Sequence, residues 1–444
     1  MKTKVYLLSL GCAKNQVNAE QMLALLEQAG MEIVPEPAGA DAVIVNTCGF
    51  IEGAKTEAIE AILEMAELKN QGLIRALVVT GCLTERYQKE FLSELPEVDA
   101  ALGTGSYGEI VEAVEQALAG KSGLGYFAPQ DSGCLTGKRH LLTPDYTAYL
   151  RIAEGCNNRC SYCVIPFIRG RFRSVPMEDL IAEAKGLVAG GAKELLVIAQ
   201  DITRYGIDLY GKPSLAALLQ ELEKIEGLEW IRLHYLYPDV LSDELLETCA
   251  KSDKILHYFD MPIQHINDRV LKRMHRHGDG NMIRERIRKI REYMPDAVIR
   301  TSLIVGFPGE TEEEFTELYD FLCEYRLERA GVFCYSQEEG SAAAEMPDQI
   351  DEDTKELRRA RIYQLQEEIM EEKSRSFLGK TLTVLCCGAD EDGNLYGRSY
   401  MDSPDIDGMV FVKDAEAEPG EFLSVKITYT DGCDLYGTLE QEEE

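Results

Sequence analysis

Short, uninterrupted apolar runs alternate with helical periodicities through the first 120 residues. Residues 5–10, 42–45 and 76–79 are apolar at nearly every position, while 16–28, 54–68 and 84–93 repeat apolar side chains at helical spacing, as with Val17, Met22, Leu25 and Leu26. A short apolar run without alternation predicts a strand covered on both faces, and such strands alternating with helices predict a parallel α/β sheet.

From 146 to 336 the pattern repeats at a longer interval. Six strand candidates, 149–153, 194–199, 230–235, 257–261, 298–305 and 331–335, are separated by helical stretches. Six βα units predict a partial barrel whose working face lies at the carboxyl ends of its strands. A charged helix over 352–377 leaves it, and the period then shortens. Runs at 381–385, 395–399, 409–412, 422–429 and 435–439, with turn signals at Asp392-Gly393 and Asp431-Gly432, predict a small antiparallel barrel. The chain therefore divides into an α/β domain over 1–120, a linker over 121–142, a partial barrel with its connecting helix over 143–377, and a β-barrel over 378–444. The linker, with Gly123, Gly125 and Pro129, lacks sustained periodicity. Its Cys134 reads as an incidental thiol.

Length agrees with several cores, since 444 residues exceed what one usually organises. No apolar run is long enough to span a bilayer, and the chain enters a strand-like segment at once, so a cytoplasmic protein without membrane attachment is expected. Net charge is −32, from 46 basic and 78 acidic residues. That balance disfavours contact with nucleic-acid phosphates and favours a basic partner, although an acidic surface also serves plain solubility.

The most specific chemistry lies in Cys156, Cys160 and Cys163, a C-x3-C-x2-C run just after the first barrel strand, and so on its working face. Three thiolates can hold three corners of an iron–sulfur cube and leave one iron open. Zinc competes, but its ribbons usually supply four ligands from paired knuckles, and no fourth Cys or His is near. Disulfides fit poorly: three thiols cannot all pair, and the 13 cysteines are an odd number.

Another triad, the first in chain order, is dispersed. Cys12, Cys48 and Cys82 each follow one of the three amino-terminal strand candidates. Ligands of open α/β folds gather beyond the carboxyl ends of strands, so neighbouring strands would aim these thiols at one point. The competing reading is three buried apolar cysteines.

With both triads in view, the chain resembles the radical S-adenosylmethionine methylthiotransferases along essentially its whole length, with Tyr162 as the aromatic residue customary before the third cluster cysteine. The resemblance implies a radical S-adenosylmethionine barrel, a TRAM domain at the end, S-adenosylmethionine and two [4Fe-4S] clusters. The cluster on Cys156, Cys160 and Cys163 would bind the cofactor's methionine part and drive its cleavage to a 5′-deoxyadenosyl radical. The cluster on Cys12, Cys48 and Cys82 would serve sulfur delivery. Gly11-Cys12-Ala13-Lys14-Asn15, Asn46-Thr47-Cys48-Gly49-Phe50-Ile51 and the segment 200–210, opening Gln200-Asp201-Ile202, are similar to the RimO-type group. That group modifies the β-carbon of an aspartyl residue in protein twelve of the small ribosomal subunit. The MiaB-type group, which modifies adenosine in transfer RNA, is the alternative, and a non-enzymatic acidic ribosome-binding module is another. Asn18-Ala19-Glu20 departs from the customary Asp-Ser-Glu.

Charge offers an independent criterion. Residues 378–444 carry four basic side chains against 16 acidic ones, a net of −12. Such a domain repels RNA and suits a basic ribosomal protein. Even without the acidic tail 442–444 it stays strongly acidic. A monomer is expected, served by an external electron donor and a sulfur donor.

The remaining candidates are weaker. Gly190 and Gly191, before the second barrel strand, would let backbone approach the cofactor, though a glycine pair is also an ordinary helix stop. Gly306, in Val305-Gly306-Phe307-Pro308-Gly309, resembles an adenine-side segment, though turn chemistry alone would account for it. Arg169, Arg171 and Arg173 offer partners for a carboxylate, Arg169 foremost for that of the cofactor. Gln264 and His265 either face the site or are satisfied within the barrel. Cys249, Cys323 and Cys334 read as core, and Cys386, Cys387 and Cys433 as packing of the small barrel. No catalytic residue beyond the cluster ligands is assigned.

Overall fold

The computed structural model describes residues 2–130 and 136–440. Cys134 and the tail 442–444 lie outside them. Six parallel strands form the first sheet: β1 (Lys4–Ser9), β2 (Glu32–Ile33), β3 (Ala42–Thr47), β4 (Ala76–Gly81), β5 (Ala100–Leu102) and β6 (Leu124–Tyr126), in the order β2-β1-β3-β4-β5-β6. Its longer helices are α1 (Ala13–Gln28), α2 (Glu52–Asn70), α3 (Cys82–Glu94) and α4 (Ile110–Leu118). The unalternating run of β3 is explained by two cores. Ala42 and Ile44 face the one built with α1 and α4, whereas Val43 and Val45 face the one built with α2. One boundary moves: β6 comes from the segment read as linker and pairs with β5. Three residues are too few to show a period.

The second sheet holds β7 (Thr147–Arg151), then, after the short pair β8 (Ala153–Glu154) and β9 (Arg173–Ser174), β10 (Glu194–Ile198), β11 (Trp230–Leu233), β12 (Ile255–Asp260), β13 (Val298–Val305) and β14 (Arg329–Cys334). Its order is β14-β13-β12-β11-β10-β7, all parallel, the six-unit partial barrel expected. Between β8 and β9 runs the cysteine loop with α5 (Ile165–Arg169), and α6 (Met177–Ala189) follows. The long helix Glu352–Arg375 packs Ile362, Leu365 and Ile369 back onto the barrel core.

Five strands, β15 (Thr381–Ala389), β16 (Leu395–Arg398), β17 (Val410–Val412), β18 (Phe422–Asp431) and β19 (Asp434–Leu439), close a small barrel. Four of its five neighbour pairs are antiparallel and β17–β19 is parallel. Its core is continuous with Trp230, Leu256, Tyr258 and Val298, at or near the amino ends of β11, β12 and β13. The small barrel therefore plugs one end of the large one, and the cysteine loop occupies the other. Among the described residues no helix is long and apolar enough to cross a membrane.

Candidate active site

The order β1-β3-β4 makes the three cysteine-bearing strands neighbours. Cys12 caps α1, Cys48 follows β3 and Cys82 opens α3 directly after β4. Close approach requires glycine at Gly11, Gly49 and Gly81. Gly11 has φ +90°, and a Cβ there would lie 2.7 Å from that of Cys48; Gly81 has φ +111°, and a Cβ there would lie 2.4 Å from the Thr47 carbonyl oxygen. Asn15 ties the strand ends together, its amide donating to the carbonyls of Leu10 (3.1 Å) and Thr47 (2.8 Å), while its own carbonyl accepts from Asn46 (2.8 Å).

Charge differs among these thiols. Burial opposes ionisation of Cys12, but Lys14 and Arg169 outweigh it and hold the thiol below its ordinary value. Burial raises Cys48 and pushes Cys82 up to about 12 despite Arg169. A bound metal would override these differences, because coordination deprotonates a thiol outright.

Cys156, Cys160 and Cys163 lie on a loop anchored at many points. Cys156 N–H donates to the Gly170 carbonyl (3.2 Å), Ser161 N–H to that of Met274 (3.0 Å), and the Ser161 hydroxyl to that of Arg273 (2.8 Å). Asn158 donates to the buried Asp201 carboxylate (2.9 Å), just beyond β10, and Arg204 closes the triangle at 3.0 Å to Asn158 and 2.9 Å to Asp201. Arg276 Nη1 stands 3.7 Å from the Cys160 sulfur. Burial raises Cys156 to about 11 and lifts Cys163 further.

A cavity of about 380 Å³ opens on this loop. Its walls include all three loop cysteines, Tyr162, Gln200, Tyr235, Tyr237 and Gln264 from the barrel, and Phe50 and Ile51 from the amino-terminal domain. Gln200 Oε1 is buried without a hydrogen-bond partner among the described residues. Tyr235 and Gln264 hold left-handed backbone conformations, φ +64° and +70°, as strained residues at functional sites often do. Lys14 Nζ sits 3.4 Å above the Tyr235 ring and so stands between Cys12 and the cavity wall. A second cleft of about 650 Å³ is lined by the same cysteines, Phe167 and Arg171. Among the described residues no three His, Cys, Asp or Glu side chains close to the spacing of a single-ion site.

Of the other candidates, Tyr162 and Gln264 reach the cavity. His265 is buried on Glu310 (3.1 Å) and accepts from the Asn267 N–H (3.0 Å), a satisfied barrel histidine. Gly190 and Gly191 need correction: they precede β10 and lie at its amino end, whereas the loop lies at the carboxyl ends. Gly306 abuts the long helix, where a Cβ would fall 2.3 Å from Lys355 Cγ, and it does not line either space. Arg169 points away from both, into the first triad. Two of the expected core thiols also move: Cys323 is exposed, and Cys334 is half-buried at the cavity wall, whereas Cys249 is core. Cys386 is buried in the small barrel, with Cys387 and Cys433 half-buried. Sequence reasoning did not single out Gln200, Tyr235 or Tyr237 as site residues, although their place just past strand ends was a usable signal. Arg276, in a loop between helices, gave none.

Comparison with known proteins agrees with this geometry. The Radical SAM superfamily model matches residues 150–322, the model of the Uncharacterized protein family UPF0004 matches 4–103, and the TRAM domain model matches 378–439. The ribosomal protein uS12 methylthiotransferase RimO of Thermoanaerobacter sp. (strain X514) is 50% identical over 98% of this chain and 99% of its own. That of Geobacter sulfurreducens is 48% identical over 99% of each. Among solved structures, the radical S-adenosylmethionine methyltransferase TsrM from Kitasatospora setae superposes with a TM-score of 0.57 at 14% identity, covering 74% of this chain and 73% of that one. At that identity the likeness concerns the fold alone.

Proposed function

The chain belongs to the RimO family of ribosomal protein uS12 methylthiotransferases, and on that premise we propose that it adds a methylthio group to the β-carbon of an aspartyl side chain of uS12. One S-adenosylmethionine would provide the methyl group and another the means of removing hydrogen. As a radical S-adenosylmethionine protein it takes a [4Fe-4S] cluster and S-adenosylmethionine. Cys156, Cys160 and Cys163 would hold that cluster, and Cys12, Cys48 and Cys82 another. When bound, these groups supply the reducing electron, hydrogen abstraction, sulfur and methyl.

The donor sets fit such groups. Each offers three thiols, which leave one iron of a cube without a protein ligand. Each has an arginine near one sulfur, Arg169 at Cys82 and Arg276 at Cys160, to offset thiolate charge. Gln200 lines the cavity and carries a buried acceptor without a partner among the described residues. Tyr162, Tyr235 and Tyr237 form an aromatic wall that limits water, and Phe50 and Ile51 close the space from the other domain. The observation that carries the reading is this shared cavity: residues immediately after Cys48 form one wall, and the second triad forms another. The acidic protein would steer the basic ribosomal protein toward itself in the cytoplasm, as a monomer supplied by an external electron donor and a sulfur donor.

Mass spectrometry of uS12 and of bulk transfer RNA from a deletion strain is the test. Loss of the added mass from uS12, restored by the gene, is expected. Loss from transfer RNA alone would overturn the assignment. Purified protein should also form 5′-deoxyadenosine under reducing conditions, and Cys156→Ala should not.

A further inference from the structure

Arg169 is the last residue of α5, a helix that begins two residues after Cys163. Its side chain leaves the barrel and enters the amino-terminal domain. There it is 2% exposed, among the largest fully buried side chains. One end of the fork, Nη1, donates to Glu154 (2.9 Å) and Asn18 (3.3 Å). The other, Nη2, donates to the Asn15 amide oxygen and stands 3.5 Å from the Cys82 sulfur.

Both anchors are themselves fixed. Asn15 is the residue that ties the ends of β1 and β3. Glu154 also pairs with Arg151 (2.9 Å), so its carboxylate is shared between two guanidiniums. A planar fork gripped at both ends has little freedom, and its N–H is held toward the sulfur rather than arriving there by chance.

We propose that Arg169 is a positioning residue for the cluster of the first triad: carried by the helix that follows the second triad, it holds an N–H and a positive charge against the Cys82 sulfur and raises that cluster's reduction potential. The inference rests on the reading of Cys12, Cys48 and Cys82 as cluster ligands. The physical reason is the sign of the charge. Reduction adds an electron to a buried, thiolate-bound cluster, and a nearby cation and hydrogen bonds to sulfur favour the more negative state. The second triad has a separate arginine. Arg276 stands 3.7 Å from Cys160, donates to the Pro262 carbonyl (2.6 Å) and lies 4.2 Å over the Tyr237 ring. Lys14 also stands near Cys12 but belongs to the same domain, whereas Arg169 reaches its triad from the other domain.

The test uses the full chain with Cys156, Cys160 and Cys163 all changed to alanine, reconstituted anaerobically so that signals come from the first triad alone. Iron analysis precedes a potentiometric titration followed by electron paramagnetic resonance. About four irons per chain are expected; none would remove the reading of the first triad, and the inference with it. With iron present, Arg169→Gln should shift the midpoint to more negative potential. Arg169→Lys, which keeps the charge but not the fork, should shift it less in the same direction, and Arg276→Gln should leave it in place. An unchanged midpoint in Arg169→Gln would overturn the inference, as would an equal shift from Arg276→Gln, and so would purely structural damage with the potential intact. Should Arg169→Gln lose its iron through misfolding, Arg169→Lys decides, and an unmoved midpoint there is fatal.

Discussion

Arg398 of the small barrel meets Glu194, the first residue of β10, at 3.2 Å and 2.5 Å through its two terminal nitrogens. Arg232 takes the same carboxylate at 2.9 Å. One of the four basic residues of the acidic terminal domain is therefore spent inside the molecule, which leaves its surface more acidic still. The contact also fixes the small barrel to the amino ends of the large one, at the far end from the cysteine loop.

Burial opposes ionisation of Glu194, but Arg398 and Arg232 outweigh it and bring its pKa down to about 2. A carboxyl depressed in the folded state contributes stability above its unfolded value, near the usual carboxylate range, and loses it as pH falls through the folded value. Glu194→Gln should destabilise the protein by about 3–5 kcal/mol near neutrality, the cost typical of breaking a buried pair. In thermal melts its deficit against the parent should narrow as pH falls from about 5 toward 2. A deficit independent of pH would contradict this account.

Asp201 locks the loop of Cys156, Cys160 and Cys163 through Asn158 and Arg204. Asp201→Ala should leave the barrel folded and weaken retention of iron by Cys156, Cys160 and Cys163 about 10–100-fold, as the loss of such outer partners typically does. Competition with an iron chelator, followed by iron analysis, measures it. Iron at the first triad should be unaffected.

Gln200 presents a buried acceptor with no partner among the described residues. Gln200→Leu preserves bulk and removes the acceptor. Its S-adenosylmethionine affinity should fall by about 1–3 kcal/mol if a bound donor normally pairs there. Equilibrium binding to the reconstituted protein reads this directly, and an unchanged Kd would place the acceptor outside the cofactor site.

The net charge of −32 makes a salt prediction. Association with uS12, followed by stopped-flow fluorescence, should slow steeply between low salt and about 0.5 M, with dissociation less affected, because steering acts on the encounter. A rate flat with salt would argue for an apolar docking face.

The sheet domains and most strand limits were legible because their signals are local: unalternating apolar runs such as Val43 and Val45, or turn pairs such as Asp431-Gly432. The placement of Cys12, Cys48 and Cys82 at neighbouring strand ends was legible for the same reason, since each thiol follows its own strand. Gly190 and Gly191 misled because a glycine pair does not reveal which end of a barrel it faces. The short β6 was invisible because three residues have no period.

The sequence alone singled out the thiols that could serve as cluster ligands, Cys156, Cys160 and Cys163 by their close covalent spacing and Cys12, Cys48 and Cys82 by their place after successive strands. Tertiary structure decided what surrounds them. Arg169 reaches Cys82 across 87 residues and Asn15 across 154, and no local propensity specifies a contact of that range. A guanidinium that reads from sequence as a cofactor clamp becomes, once buried between two domains, a neighbour of the other triad. Hydrogen bonds and charge act through space, and only the fold sets those distances.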